Sequence, residues 1–106
     1  PTRGPALDVG CGSEGRFLVA LREAGFAPEG LDISPGMIAE ARRHRPEFVY
    51  HEANIATWDL PRAYHLISAW DSIFHLPLSL HEPVLHRLCG GLVPGGILLF
   101  TCGGTD

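Results

Sequence analysis

Nine residues near the start of the chain restrict its fold more than any others. Leu7-Asp8-Val9-Gly10-Cys11-Gly12-Ser13-Glu14-Gly15 closes a short apolar run, Ala6 to Val9, with glycines in a G-x-G-x-x-G spacing. The periodicity then changes: between Glu14 and Ala24 the apolar residues Phe17, Leu18, Leu21 and Ala24 recur at helical intervals, and Gly25 supplies a stop. A buried strand that turns through glycines into a helix opens a strand-helix-strand unit, and such units build a parallel sheet covered by helices. Glycine is required there because its missing Cβ permits a tight turn and lets another group approach the main chain.

The same alternation continues downstream. A second strand is expected over Glu29 to Ile33, followed by a helix with Ser34 as N-cap, Pro35 at its first position and Met37, Ile38 and Ala41 on its apolar face. Glu47 to His51 reads as a third strand and Leu66 to Trp70 as a fourth. Ser79 to Leu92 reads as a helix, with Ser79 and Glu82 at capping-box spacing and Pro83 in its first turn. Val93-Pro94-Gly95-Gly96 predicts a turn and Ile97 to Thr101 a fifth strand. Several strands are continuous apolar runs, as expected of a parallel sheet buried on both faces. In such sheets ligands bind beyond the C-terminal strand edge, where strand order reverses.

Composition sets the outer limits. At 106 residues the chain is one domain, 1–106, with 45% hydrophobic and 19% charged residues, which excludes disorder and collagen-like repeats. The longest apolar stretch, Gly96 to Thr101, is too short to span a bilayer, and Pro-Thr-Arg-Gly-Pro does not resemble a signal peptide. A soluble, cytoplasmic chain with no membrane partner is the expectation. The net charge of −4 argues against nucleic acid, and the basic run Arg42, Arg43, His44 and Arg45 reads as a solvated helix end. Cys11, Cys89 and Cys102 form no C-x-x-C pair and read as reduced thiols; no metal-ligand spacing is present.

The charge of the glycine loop selects among ligands. A dinucleotide would set an anionic pyrophosphate against Asp8 and Glu14, in a loop that carries no Lys or Arg before Arg16. S-adenosylmethionine instead presents an ammonium and a sulfonium, so the loop favours it over a nicotinamide dinucleotide. Asp32, 22 residues after Gly10 at the end of the second strand, can accept hydrogen bonds from ribose hydroxyls.

Asp8-Val9-Gly10-Cys11-Gly12-Ser13-Glu14-Gly15 followed by Gly30-Leu31-Asp32-Ile33-Ser34-Pro35-Gly36-Met37-Ile38 resembles a class I S-adenosylmethionine-dependent methyltransferase, and the likeness runs from about Ala6 to Thr101. It implies an α/β, Rossmann-like three-layer sandwich with a mostly parallel sheet. By resemblance Asp8, Gly10, Cys11 and Gly12 line the methionine end, Asp32 binds the ribose, and Ile33 and Met37 pack on the adenine. Asn54 and Ile55 match the element that holds the adenine ring; Asn54 stands where an acidic residue is common, and its amide carbonyl can still accept from the amino group. Trp58 could cover the adenine or fill the core. Trp70 and Asp71 match the loop between the cofactor and the methyl acceptor, with His75 as a candidate base beside Asp71.

The reaction so implied is methyl transfer to a small-molecule acceptor, in which the protein mainly aligns the reactants. A non-catalytic cofactor-binding or assembly module and a nicotinamide-dependent oxidoreductase are the alternatives. The family carries seven strands where five are readable here, so a truncated sheet is expected. The edge of the fifth strand would then be open for pairing with a further segment or a second copy in a homo-oligomer.

Overall fold

The computed structural model describes residues 3–69 and 78–100. The elements are β1 (Pro5–Val9), α1 (Arg16–Glu23), β2 (Ala27–Asp32), α2 (Pro35–His44), β3 (Val49–Glu52), β4 (Tyr64–Ala69), a 3₁₀ turn (Leu78–Leu80), α3 (His81–Gly90) and β5 (Leu92–Phe100). All strand pairs are parallel, in the order β3-β2-β1-β4-β5. The chain thus moves outward from β1 to β3, returns to the other side of β1 with β4, and reverses direction between β1 and β4. The expected parallel α/β sheet is present, with ligand space predicted at that reversal.

Helices cover both faces. On one, Val84 and Leu88 of α3 pack on Leu7, Val9, Leu31, Ile67 and Ala69. On the other, Leu18 of α1 and Ile38 and Ala41 of α2 pack with Phe48 and Tyr50, and Leu21 packs with Ala6 and Leu66. Side chains alternate across a strand, so Ala6 and Asp8 of β1, Gly30 and Asp32 of β2, and Leu66 and Ser68 of β4 share the α1/α2 face. Asp8, Gly30, Asp32 and Ser68 therefore face the same side near the C-terminal strand ends. Trp58 packs at the margin of the α3-side core, its ring 5.0 Å from that of His51, which places it with the core-filling reading.

Three local expectations change. Helix α1 starts at Arg16 because Gly15 adopts left-handed backbone, φ 65°, as its N-cap. The capping box at Ser79 and Glu82 does not form: Leu80 is the N-cap, without a side-chain cap, and Ser79 belongs to the 3₁₀ turn. The turn at Val93–Gly96 lies inside β5, where pairing steps from Tyr64–Leu92 to Leu66–Ile97, so five residues of advance on β5 match two on β4. Pro94 has no N–H to donate and Gly95 adopts φ 81°, so the backbone bulges there and pairing resumes at Ile97.

Among the described residues β5 pairs only with β4, and Ile97, Leu99 and Phe100 on it are exposed. No helix among those residues is long and apolar enough to cross a membrane.

Candidate functional site

The site begins with a carboxyl group in an unfavourable place. Asp8 is 4% exposed and accepts a hydrogen bond from the Ser68 hydroxyl at 2.9 Å. Burial pushes its pKa up from 3.8 to about 6; the Ser68 hydrogen bond opposes that rise and the Asp32 charge adds to it. Among the described residues no Lys, Arg or His pairs with Asp8 or Asp32. Two neighbouring carboxyl groups without a cation favour a cationic ligand between the glycine loop and β2.

The glycine loop is folded back onto the end of β2. Gly10 N–H and Cys11 N–H both donate to the Leu31 carbonyl, at 2.6 and 3.0 Å, and Gly12 N–H donates to Asp32 Oδ2 at 3.0 Å. Gly10 and Gly12 hold φ 77° and 71°, values that side chains disfavour. Three successive loop amides are therefore engaged within the protein instead of facing outward toward a phosphate. Asp32 Oδ1 accepts from Ser34 N–H at 3.0 Å, so one carboxylate joins the loop to the start of α2. Each of its oxygens retains a second lone pair for a hydroxyl donor. An open cleft of about 400 Å³ lies along the loop, lined by Asp8, Gly10, Cys11, Glu14 and Phe17 among others.

The Cys11 side chain points inward. A Cβ on Gly30 would lie 2.8 Å from Cys11 Sγ and 3.1 Å from a Tyr50 ring carbon, so β2 needs glycine there to let the loop sit down. Burial, with Asp8 and Asp32 adding, pushes the Cys11 thiol up to about 12, and it stays protonated and unreactive.

Beyond Asp32 the surface becomes apolar and open. Ile33 and Met37 are 63% and 46% exposed, an apolar surface suited to covering a flat ring. Ser34 caps α2 as expected, its Oγ accepting from Met37 N–H at 3.2 Å. The Asp32 carbonyl accepts from Ala53 N–H at 3.1 Å, which brings the segment after β3 alongside. There Asn54 Oδ1 accepts from Ala56 N–H at 2.9 Å, and the Asn54 carbonyl accepts from Thr57 and Trp58 N–H. Asn54 thus shapes a turn, with one amide lone pair left over, and the Ile55 side chain is buried in the core.

Asp8, Gly10, Cys11, Gly12, Asp32, Ile33, Met37, Asn54 and Ile55 therefore gather around the ends of β1, β2 and β3. Trp70, Asp71 and His75 lie outside the described residues, and no group among the described residues could hold a metal ion. Ser68 and Gly30 were not foreseen. Ser68 carries no motif signal, whereas Gly30 inside an apolar strand is the kind of glycine that marks close approach of another backbone. The basic run at the end of α2 is engaged too: His44 and Arg45 bond to the glycine loop, Arg42 to Tyr50 and Arg43 to Glu40.

Comparison with known proteins agrees with this geometry. The family profile described as "Methyltransferase domain" matches residues 6–96. A trans-aconitate 2-methyltransferase from Methylobacterium radiotolerans is 40% identical over 94 residues, 88% of this chain and 35% of that protein. A dTDP-3-amino-3,6-dideoxy-alpha-D-glucopyranose N,N-dimethyltransferase from Streptomyces fradiae is 31% identical over 101 residues, 93% of this chain and 39% of that protein. Among solved structures, the S-adenosylmethionine-bound amino pentose methyltransferase CalS10 from Micromonospora echinaspora superimposes with a TM-score of 0.80 at 26% identity, covering 92% of this chain and 42% of that one. The chain thus spans somewhat over a third of the length of the curated relatives it matches. With residues 6–96 matched by the family profile and relatives of 31–40% identity covering most of the chain, the chain belongs to the methyltransferase domain family of class I.

Proposed function

We propose that this chain is the S-adenosylmethionine-binding part of a methyltransferase that acts on a small molecule. The observation that carries the reading is the buried Asp8 beside Asp32, with no cation from the described residues on either. The amino-acid end of the cofactor supplies the missing positive charge. Asp8, Gly10, Cys11 and Gly12 would line that end, Asp32 would take the ribose hydroxyls, and Ile33 and Met37 would cover the adenine, whose edge meets Asn54 and Ile55. When bound, the cofactor supplies a methyl group activated by its sulfonium. Trp70, Asp71 and His75 complete the proposal as the wall of the transfer site, with His75 as base where the acceptor has to lose a proton.

The acceptor class rests on the relatives, which by name act on trans-aconitate and on an amino sugar nucleotide, and on the acidic balance of −4. A cytoplasmic location and absence of nucleic acid partners belong to the same proposal. So does pairing of the exposed β5 edge with further strands, from a longer chain or a second copy; light scattering that gives a stable monomer would count against a second copy.

Calorimetry tests the cofactor directly. S-adenosylmethionine and S-adenosylhomocysteine are expected to bind, and Asp32→Ala to weaken both more than about tenfold, because charge-assisted hydrogen bonds are lost. Binding of NAD in place of either would sink the proposal. Transfer of radiolabelled methyl to a metabolite pool, with protein and RNA as controls, separates an enzyme from a non-catalytic module.

A further inference from the structure

The basic run at the end of α2 has a use that its surface position hides. His44 Nδ1 lies 3.1 Å from the Ser13 carbonyl oxygen, and Arg45 Nε donates to the Glu14 carbonyl at 3.1 Å. The Arg45 stem also lies along Gly15, where an added Cβ would meet its Cδ at 3.4 Å and its Cγ at 3.7 Å. Three consecutive loop residues are thus held by two residues of one helix end. That end is itself anchored to β3: the Tyr50 hydroxyl donates to the Arg45 carbonyl at 2.9 Å, and Arg42 donates to the Tyr50 carbonyl at 3.4 Å.

The arrangement divides the glycine loop into two halves with different supports. Residues 10 to 12 are fixed by the end of β2, through Leu31 and Asp32. Residues 13 to 15 lack those bonds: the Ser13 and Glu14 carbonyls are held from α2, and the Gly15 carbonyl accepts from Val19 N–H as α1 begins. A trans peptide is planar with its carbonyl and N–H on opposite sides, so turning the Ser13 and Glu14 carbonyls toward α2 turns the Glu14 and Gly15 N–H groups away from it. Glycine at φ 65° leaves this stretch few steric restraints of its own.

We propose that His44 and Arg45 are positioning residues for the amino-acid end of the cofactor, acting through the peptide groups that follow Ser13 and Glu14. The proposal rests on reading the glycine loop as the site of that end. They touch the loop and not the adenosine side, so their effect should depend on which part of a ligand is present.

The experiment uses two ligands that differ in that part. S-adenosylhomocysteine carries the amino-acid end, and 5′-methylthioadenosine lacks it. Arg45→Met keeps an apolar stem along Gly15 and removes the donor; His44→Ala removes the other bond, and its exposed position makes a folded product the expectation, checked by circular dichroism. Each variant is expected to bind S-adenosylhomocysteine about three- to tenfold more weakly than wild type, the loss of one hydrogen bond, with 5′-methylthioadenosine held within about twofold. Equal weakening of both ligands, or of neither, in a folded variant overturns the positioning role. Failure of the wild-type chain to bind S-adenosylhomocysteine would instead overturn the reading of the site itself.

Discussion

Replacing Asp8 by Asn tests the physical basis of the site without any ligand. The folded chain holds Asp8 4% exposed with a pKa of about 6, against an ordinary 3.8, because burial disfavours its charge. The folded state therefore binds the Asp8 proton more tightly than the unfolded state. The associated stability is fully present below 3.8 and is lost as pH rises through about 6. Across that interval the change is about 3 kcal/mol, equivalent to roughly 10–20 °C in Tm for a domain of this size. Urea unfolding followed by circular dichroism, from about pH 4 to about pH 8, should show the wild-type chain losing that amount relative to Asp8→Asn. The absolute stability of the variant is a poorer guide, since its buried amide N–H groups carry a cost of their own. A cationic ligand reverses the sign: it favours ionised Asp8, so cofactor affinity should fall about tenfold for each pH unit below about 6. Parallel pH-stability curves for the two proteins would refute the argument, because they would mean that Asp8 ionises as readily when folded as when unfolded.

Three further substitutions probe the surroundings. Ser68→Ala removes the hydroxyl that opposes the rise in the Asp8 pKa, so the inflection in cofactor affinity should move to higher pH and affinity at neutral pH should fall roughly three- to tenfold; a titration that superimposes on wild type would exclude Ser68 as a partner. Gly30→Ala drives a Cβ to within 2.8 Å of Cys11 Sγ and should destabilise the chain by about 1–3 kcal/mol, measured by urea unfolding, with partial recovery when combined with Cys11→Ala. Glu29, 5% exposed, accepts from the Tyr64 hydroxyl at 2.7 Å and meets His51 at 2.9 Å and Arg62 at 3.2 Å. Glu29→Ala strips all three partners and should reduce stability by about 2–4 kcal/mol in the same assay; a loss below about 0.5 kcal/mol would show that the cluster adds nothing.

Legibility in the sequence followed the range of the interactions. Gly10, Gly12 and Gly15 announced a strand-to-helix turn because the restriction acts on each residue's own backbone, and Ser34-Pro35 announced the start of α2 because a cap bonds within one turn. The expected Ser79 cap failed where local chemistry met competition: the 3₁₀ turn at Leu78–Leu80 moved the helix start by two residues. In β5 the Pro94-Gly95-Gly96 signal was sound as a departure from regular backbone, yet pairing with β4 on either side made it a bulge within one strand.

By itself the sequence determined the alternation of strands and helices, the glycine turn and the acidic pair Asp8 and Asp32, since periodicity, sterics and charge act over a few residues. It did not determine what surrounds them. That Ser68 meets Asp8 from 60 positions away follows from β1 pairing with β4 in one register, and a slip by a single residue would turn the hydroxyl to the α3 face. That His44 and Arg45 reach the carbonyls of Ser13 and Glu14 across 31 positions follows from where packing against β3 sets the end of α2. A run that reads as a solvated helix end becomes part of the support of the site only in the folded chain, because register and helix packing decide which distant residues meet.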